Sequence, residues 1–233
     1  MQNSAVSAKN KKKSLLITID GPAGAGKTTI SKMLADRLGY KYVDTGALYR
    51  AIAFEALSAG IDHDDDAGLK HLCEKIDLRL VFVKNMPRLF SSGTDLTDKI
   101  RTSEITMFAS AASARHVVRE SLLEIQRSMG KQKKAVFEGR DMGTVVFPDA
   151  DVKFFLDADS KTRTIRRHKE LPAGDSMTVQ EVKRNIEERD KNDSSRALAP
   201  LKPADDAVII DSTALSRDEV LKLMLSHIDM GAI

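Results

Sequence analysis

The sequence predicts an α/β protein, a parallel sheet wound with helices on both faces, and three observations carry that prediction. Short apolar or β-branched runs alternate with stretches whose apolar residues recur every three to four positions. Glycines, two capping boxes and a Leu-Pro-Ala-Gly break punctuate the changes of period. One segment, about residues 77–101, departs from the alternation and reads as a small antiparallel β insertion.

Taken in order, residues 15–20 (LLITID) form a buried strand that ends at Gly21. From Lys27, Ile30, Met33, Leu34 and Leu38 share one helical face, and the helix stops at Gly39. Residues 40–44 are a second strand. Thr45 then caps a helix carrying Leu48, Ile52, Phe54 and Leu57 and ending at Gly60. Residues 69–76 are helical. Residues 78–83 and 88–90 pair around a turn at Asn85-Met86-Pro87, and Ser91-Ser92-Gly93 follows. Helices are expected over 103–114 and 116–129, the second showing Val118, Leu122, Ile125 and Met129 before Gly130. Residues 135–137 and 152–156 are the third and fourth parallel strands. An Arg-rich helix over 160–170 is broken by Leu171-Pro172-Ala173-Gly174. Thr178 and Glu181 box a helix running to about 190, residues 208–210 give a fifth strand, and Ser216 with Glu219 box a last helix carrying Val220, Met224 and Ile228.

A chain of 233 residues buries roughly 70% of its unfolded surface and needs no covalent staple. The single Cys73 excludes an internal disulfide and suits the reducing cytoplasm. No apolar run approaches the ~18–20 residues of a membrane span. Residues 1–14 carry a Lys cluster and no apolar signal core, and read as a disordered, solvated tail. The net charge of +3 is exceeded by the tail lysines Lys9, Lys11, Lys12 and Lys13 alone, which leaves no basic stripe for nucleic acid. Arg140, Arg163, Arg166, Arg167, Arg189 and Arg196 fall in short clusters that suit small anions better. His63, His71, His116, His168 and His227 show no metal-type spacing with a carboxylate or with Cys73.

The chemistry starts at Gly21-Pro22-Ala23-Gly24-Ala25-Gly26-Lys27-Thr28, which matches G-x-x-x-x-G-K-[ST] between a strand and a helix. In that context the glycines let backbone N–H groups cradle phosphate, and the helix adds its positive end. Lys27 reaches the β and γ phosphates of a bound nucleotide, Thr28 offers its hydroxyl to Mg²⁺, and Thr29 completes the nucleotide-binding set. A GTPase, a motor ATPase and a small-molecule kinase share such a loop. The length disfavours motors, and the only echo of a guanine-reading Asn-Lys-x-Asp, Lys191-Asn192-Asp193, follows a helix rather than a strand. FEGRDMGTVVFPD (137–149) poses a second question, because three charges lie between two glycines at a strand end. They form either an internal salt bridge or half of a binding site.

Five stretches in order, ITIDGPAGAGKTT (17–29), VDTGALYR (43–50), DKIRTSEI (98–105), FEGRDMGTVVFPDADVKFFLDA (137–158) and ERDKNDSSRALAPL (188–201), resemble the bacterial cytidylate kinases. The resemblance runs from about residue 16 to the C-terminus. It implies a P-loop NTPase, three-layer α/β/α fold with a five-stranded parallel sheet. It further implies one domain over 15–233: a core of 15–44, 115–158 and 192–233, a region binding the nucleoside monophosphate over 45–114 with the β insert, and a lid over about 159–191. The implied activity is transfer of phosphate from ATP to CMP and dCMP by a cytoplasmic monomer that binds neither nucleic acid nor membrane.

The site residues are implied likewise. Thr45, Tyr49 and Arg50 line the acceptor site, with Arg50 on its phosphate; a plain N-cap and a surface ion pair are the bland alternatives for Thr45 and Arg50. Ser110, Arg119 and Asp141 contact cytosine. Arg140 takes the acceptor phosphate. Arg189, Asp193 and Arg196 hold the ribose, their arginines near phosphate. Lys27, Arg140, Arg189 and the lid residue Arg167 are the catalytic set, while Arg163 is as easily exposed. Glu138 is an internal ion-pair partner or steers Mg²⁺-bound water. The acceptor is already anionic at neutral pH, so no general base is required. The rivals are another small P-loop kinase with a different acceptor, and a nucleotide-binding regulatory module with a dead acceptor site.

Overall fold

The computed structural model describes residues 14–83, 86–171 and 176–231. The Lys-rich tail up to residue 13, Asn85 of the expected turn and Pro172-Ala173-Gly174 of the expected break lie outside the described residues. Five parallel strands, β1 (Leu16–Asp20), β2 (Lys41–Asp44), β6 (Ala135–Glu138), β7 (Val152–Asp157) and β8 (Val208–Asp211), form one sheet in the order β2-β6-β1-β7-β8. The central strand β1 is buried along its whole length, as its unbroken apolar run requires of a strand covered on both faces. The chain moves to one side of β1 for β2 and β6 and to the other for β7 and β8. The carboxyl ends of β1 and β6 therefore flank the switch point where α/β sheets hold ligands.

Helix α1 (Lys27–Leu38) runs from Gly26 to the left-handed Gly39. With α8 (Arg217–Gly231) it covers one face, where Ile17, Ile19, Leu34, Phe154, Leu156 and Met224 interlock. Each such fully buried side chain contributes on the order of 2 kcal/mol. The other face carries Val43, Phe137, Met142 and Phe147, with the Phe137 and Phe147 rings 4.6 Å apart between centroids. A further core joins α2 (Thr45–Ser58), α3 (Asp66–Lys75), α4 (Ser103–Ala112) and α5 (His116–Gly130) through Leu48, Ile52, Leu69, Ile105 and Leu122. The insertion is a three-stranded antiparallel sheet, β3 (Leu78–Val83), β4 (Met86–Ser91) and β5 (Thr94–Asp95). Helices α6 (Ser160–Lys169) and α7 (Val179–Ser195) follow β7, and the Thr178–Glu181 box at the start of α7 is present. Among the described residues, no helix is long and apolar enough to cross a membrane.

Several boundaries differ from the sequence expectation, each for a local reason. Asp44, not Thr45, caps α2, its carboxylate accepting from Ala47 N at 3.2 Å. Thr45 is inside the helix, and its hydroxyl instead donates to Glu138 O at 2.7 Å. Helix α7 passes 190 and includes Lys191, Asn192 and Asp193, because no glycine or proline stops it and Asp193 is buried against Arg140 and Arg196. Helix α3 begins earlier than expected, at the cap Asp65. The expected turn residues Met86 and Pro87 belong to β4, with Pro87 opposite Phe82 on the part of β4 that β5 does not reach, where a strand tolerates proline. Strand β6 takes in Glu138, and after Asp141 the chain forms a π-helical turn over Met142–Val146, closed by Phe147 N to Met142 O at 2.7 Å.

Candidate active site

The carboxyl ends of β1, β2 and β6 open into a cleft of about 890 Å³, near the upper end of the roughly 300–1,000 Å³ typical of small-molecule sites. On one side lies the glycine-rich loop. Gly21, at φ +147°, passes so close to β7 that a Cβ there would stand 2.0 Å from Leu156 O. Gly24 and Gly26 take φ +77° and +90° and turn the loop into α1. Side chains from α6 and α7 hold the loop from outside. Asp190 accepts from Ala23 N at 3.2 Å, and Arg163 donates to Ala23 O at 3.0 Å while pairing with Asp190. Arg163 is thus committed to the loop rather than exposed. Arg166 donates to Ser212 Oγ at 2.9 Å and Ser212 O at 2.7 Å, tying α6 to the end of β8.

Lys27 bends back to donate to Pro22 O at 2.6 Å. Burial, then the Arg140 charge beside it, push its ammonium down to about 7. Thr28 donates to Glu138 Oε1 at 2.8 Å, and Tyr42 donates to the same oxygen at 2.6 Å. Glu138 is therefore held by hydroxyls, and among the described residues it has no ion-pair partner within salt-bridge distance, against the salt-bridge alternative. Burial raises its carboxyl above the ordinary range, with Asp44 adding to the effect. Its other oxygen, Oε2, is buried without a hydrogen-bond partner.

The opposite side of the cleft is built from ion pairs. Arg50 donates to Asp44 at 2.7 Å on the first turns of α2. Burial opposes charge on Asp44, but Arg50 and then Arg101 outweigh it and hold the carboxyl below its usual range. Arg119 of α5 pairs with Asp141, donates to Ser113 O at 3.3 Å, and lies 5.9 Å from the Tyr49 ring centroid. Burial raises the Asp141 carboxyl despite Arg119 and Arg196 nearby. Asp193 accepts from Arg140 Nε at 2.7 Å and pairs also with Arg196. At Arg189, which is half-buried, desolvation and then the Arg140 charge push the guanidinium down to about 9. Arg189 Nε and Ser110 Oγ, both buried, lack hydrogen-bond partners.

A family model described as cytidylate kinase matches residues 17–230. The chain belongs to the cytidylate kinase family. It is 52% identical over 218 residues to a protein named cytidylate kinase of Geobacter sulfurreducens, covering 92% of this chain and 93% of that one. It is 50% identical over 211 residues to another of that name from Geobacter sp. strain M21, covering 90% and 91%. The fold is shared, at TM-score 0.50 and 13% identity, with an uncharacterized protein from Eubacterium ventriosum, over 94% of this chain and 99% of that one.

In this member of the cytidylate kinase family, every residue expected on the acceptor side, from Thr45 to Arg196, lines the one cleft. So do Lys27, Thr28, Thr29, Gly24 and Gly26 on the loop side, and Arg167, which reaches Glu170 at 3.5 Å. Gly21, Pro22 and Ala25 shape the loop from behind rather than line the cleft. The sequence reading missed Asp44 and Asp190, which orient Arg50 and Ala23. An Asp closing a strand before a helix was the available signal for Asp44; an Asp within a charged helix gave none for Asp190. It also missed a surface grouping: Asp62, His63 and Asp64 bring three possible metal-ligating atoms within 4.8 Å of one another, exposed before α3.

Proposed function

We propose that this chain transfers the γ-phosphoryl group of ATP directly to the phosphate of CMP or dCMP, giving ADP and CDP or dCDP. The convergence of Lys27, Arg140 and Arg189 carries the reading. Burial and then the Arg140 charge depress both the Lys27 ammonium and the Arg189 guanidinium, an arrangement costly in isolation and relieved when phosphates enter between them. The family's name supplies the substrate class, and the loop supplies the donor site.

Phosphoryl transfer asks the protein for positioning and charge neutralisation rather than covalent chemistry. Lys27 leaves Pro22 O for the donor phosphates, Arg140 and Arg189 share the charge that develops between the substrates, and Arg50 takes the acceptor phosphate. The pair Arg119–Asp141, with Ser110 beside it, presents donors and an acceptor matched to cytosine, which offers an amine next to two acceptors. Asp193 and Arg196 take the ribose. Residues 45–114 form the acceptor-binding region, and about 159–191 the lid whose closure excludes water.

Magnesium fits the donor set: the Thr28 hydroxyl, Glu138 and its unpartnered Oε2 are hard oxygens beside the loop. When bound there, Mg²⁺ supplies charge neutralisation on the donor phosphates, with Thr28 holding it and Glu138 its water. The chain acts as a monomer in a reducing cytoplasm, which the lone free thiol of Cys73 supports. ADP release coupled to an optical assay with CMP, dCMP, UMP and AMP tests the reading. CMP and dCMP should give the highest kcat/KM, and equal activity with UMP or AMP defeats it.

A further inference from the structure

We infer that Asp20, the last residue of β1, is the positioning residue that holds the cytosine-reading turn in register with the phosphate loop. The inference rests on the cytidylate kinase reading above and concerns a side chain that does not line the cleft.

Asp20 is 4% exposed and stands immediately before Gly21, where the loop begins. Its two oxygens accept from two successive amides across the sheet, Met142 N at 2.9 Å and Gly143 N at 2.8 Å. These amides directly follow Arg140 and Asp141 and open the π-helical turn, whose first hydrogen bonds run back to Asp141 O. The turn has little other freedom. A Cβ on Gly139 would meet Met142 Cγ at 2.7 Å, and one on Gly143 would meet Thr18 Oγ1 at 3.1 Å. One carboxylate therefore fixes where the Asp141 side chain starts, and that side chain, paired with Arg119, is the expected base reader.

A structural cap alone would not need a charge at this depth. Burial works against the carboxylate and lifts it to about 6, with the two amides opposing. A neutral acceptor would avoid that cost but has only one oxygen. Asn in its place turns an NH₂ toward one of the two N–H groups, so one amide loses its acceptor and the turn must shift. The shift falls on Asp141 and Arg140, because pairing with β1 and β2 pins Ala135–Glu138 of β6.

The test is steady-state kinetics of Asp20→Asn with CMP and UMP. The KM for CMP should rise about tenfold or more and the CMP-over-UMP preference fall at least fivefold, with the KM for ATP within about twofold of wild type. A parallel rise in the KM for ATP means general loop damage and overturns the inference, as does an unchanged CMP preference. In the Asp141→Ala background, Asp20→Asn should cost no further selectivity; additive losses also overturn it. If the variant does not fold, hydrogen exchange on the wild-type chain decides. The Met142 and Gly143 amides should be protected like those of β6, and exchange as fast as an exposed turn sinks the idea. Wild-type enzyme lacking any CMP preference would instead defeat the proposed function.

Discussion

The two halves of the cleft are built on opposite principles. The donor half is backbone: glycines at φ values closed to other residues, a helix start, and one lysine. Its outside is braced by Arg163, Asp190 and Arg166, whose side chains bind loop or sheet carbonyls and an amide. The acceptor half is side chain against side chain: Asp44–Arg50, Arg119–Asp141 and Asp193 between Arg140 and Arg196. Backbone N–H groups read phosphate without regard to what carries it. Preformed ion pairs can read a particular base and sugar, at the cost of desolvated charges that need each other.

Substitutions should separate the two halves. Lys27→Ala should lower kcat by roughly 10³-fold with every acceptor, since it removes charge stabilisation common to all of them; a loss confined to CMP would break the distinction. Asp193→Asn should lower stability by about 3 kcal/mol in a denaturant melt, because it removes the charge shared by Arg140 and Arg196; a change within about 0.5 kcal/mol would show that the arginines have other partners. Asp141→Ala should reduce CMP-over-UMP discrimination by about 1–3 kcal/mol, roughly 5–150-fold in relative kcat/KM, and change the KM for ATP little. The smallest effect is protonic. Lys27 titrates near 7 in the free protein, and phosphate favours its charged form, so ATP binding at pH 8 should take up a proton. Calorimetry in buffers of different ionisation enthalpy reads that uptake, and proton release would reverse the assigned cause.

The same division explains what could be read before the structure. The donor half is local: eight consecutive residues between a strand and a helix fix its geometry, so spacing alone exposed it. The capping box at Thr178 was equally local and is present. The acceptor half joins α2, α4, α5, β6 and α7, and only resemblance to a family, not periodicity, could gather Arg50, Arg119, Asp141 and Asp193. Asp20 read as the polar end of an apolar strand, because its amide partners lie 122 and 123 residues away. The extent of α7 was missed because its last turn is polar throughout. Its continuation goes with tertiary pairing of the buried Asp193 to Arg140 and Arg196 rather than with helix punctuation.

That uninterrupted α7 has a mechanical consequence. Asp190, which grips the phosphate loop, and Asp193, which grips two acceptor-side arginines, lie three residues apart on a single rod. A stiff helix tilts as a unit, so it works as a rocker arm with both contacts on the same short span. Any swing of α7 that loosens one grip drags the other with it, and the gates of the two nucleotides are geared together.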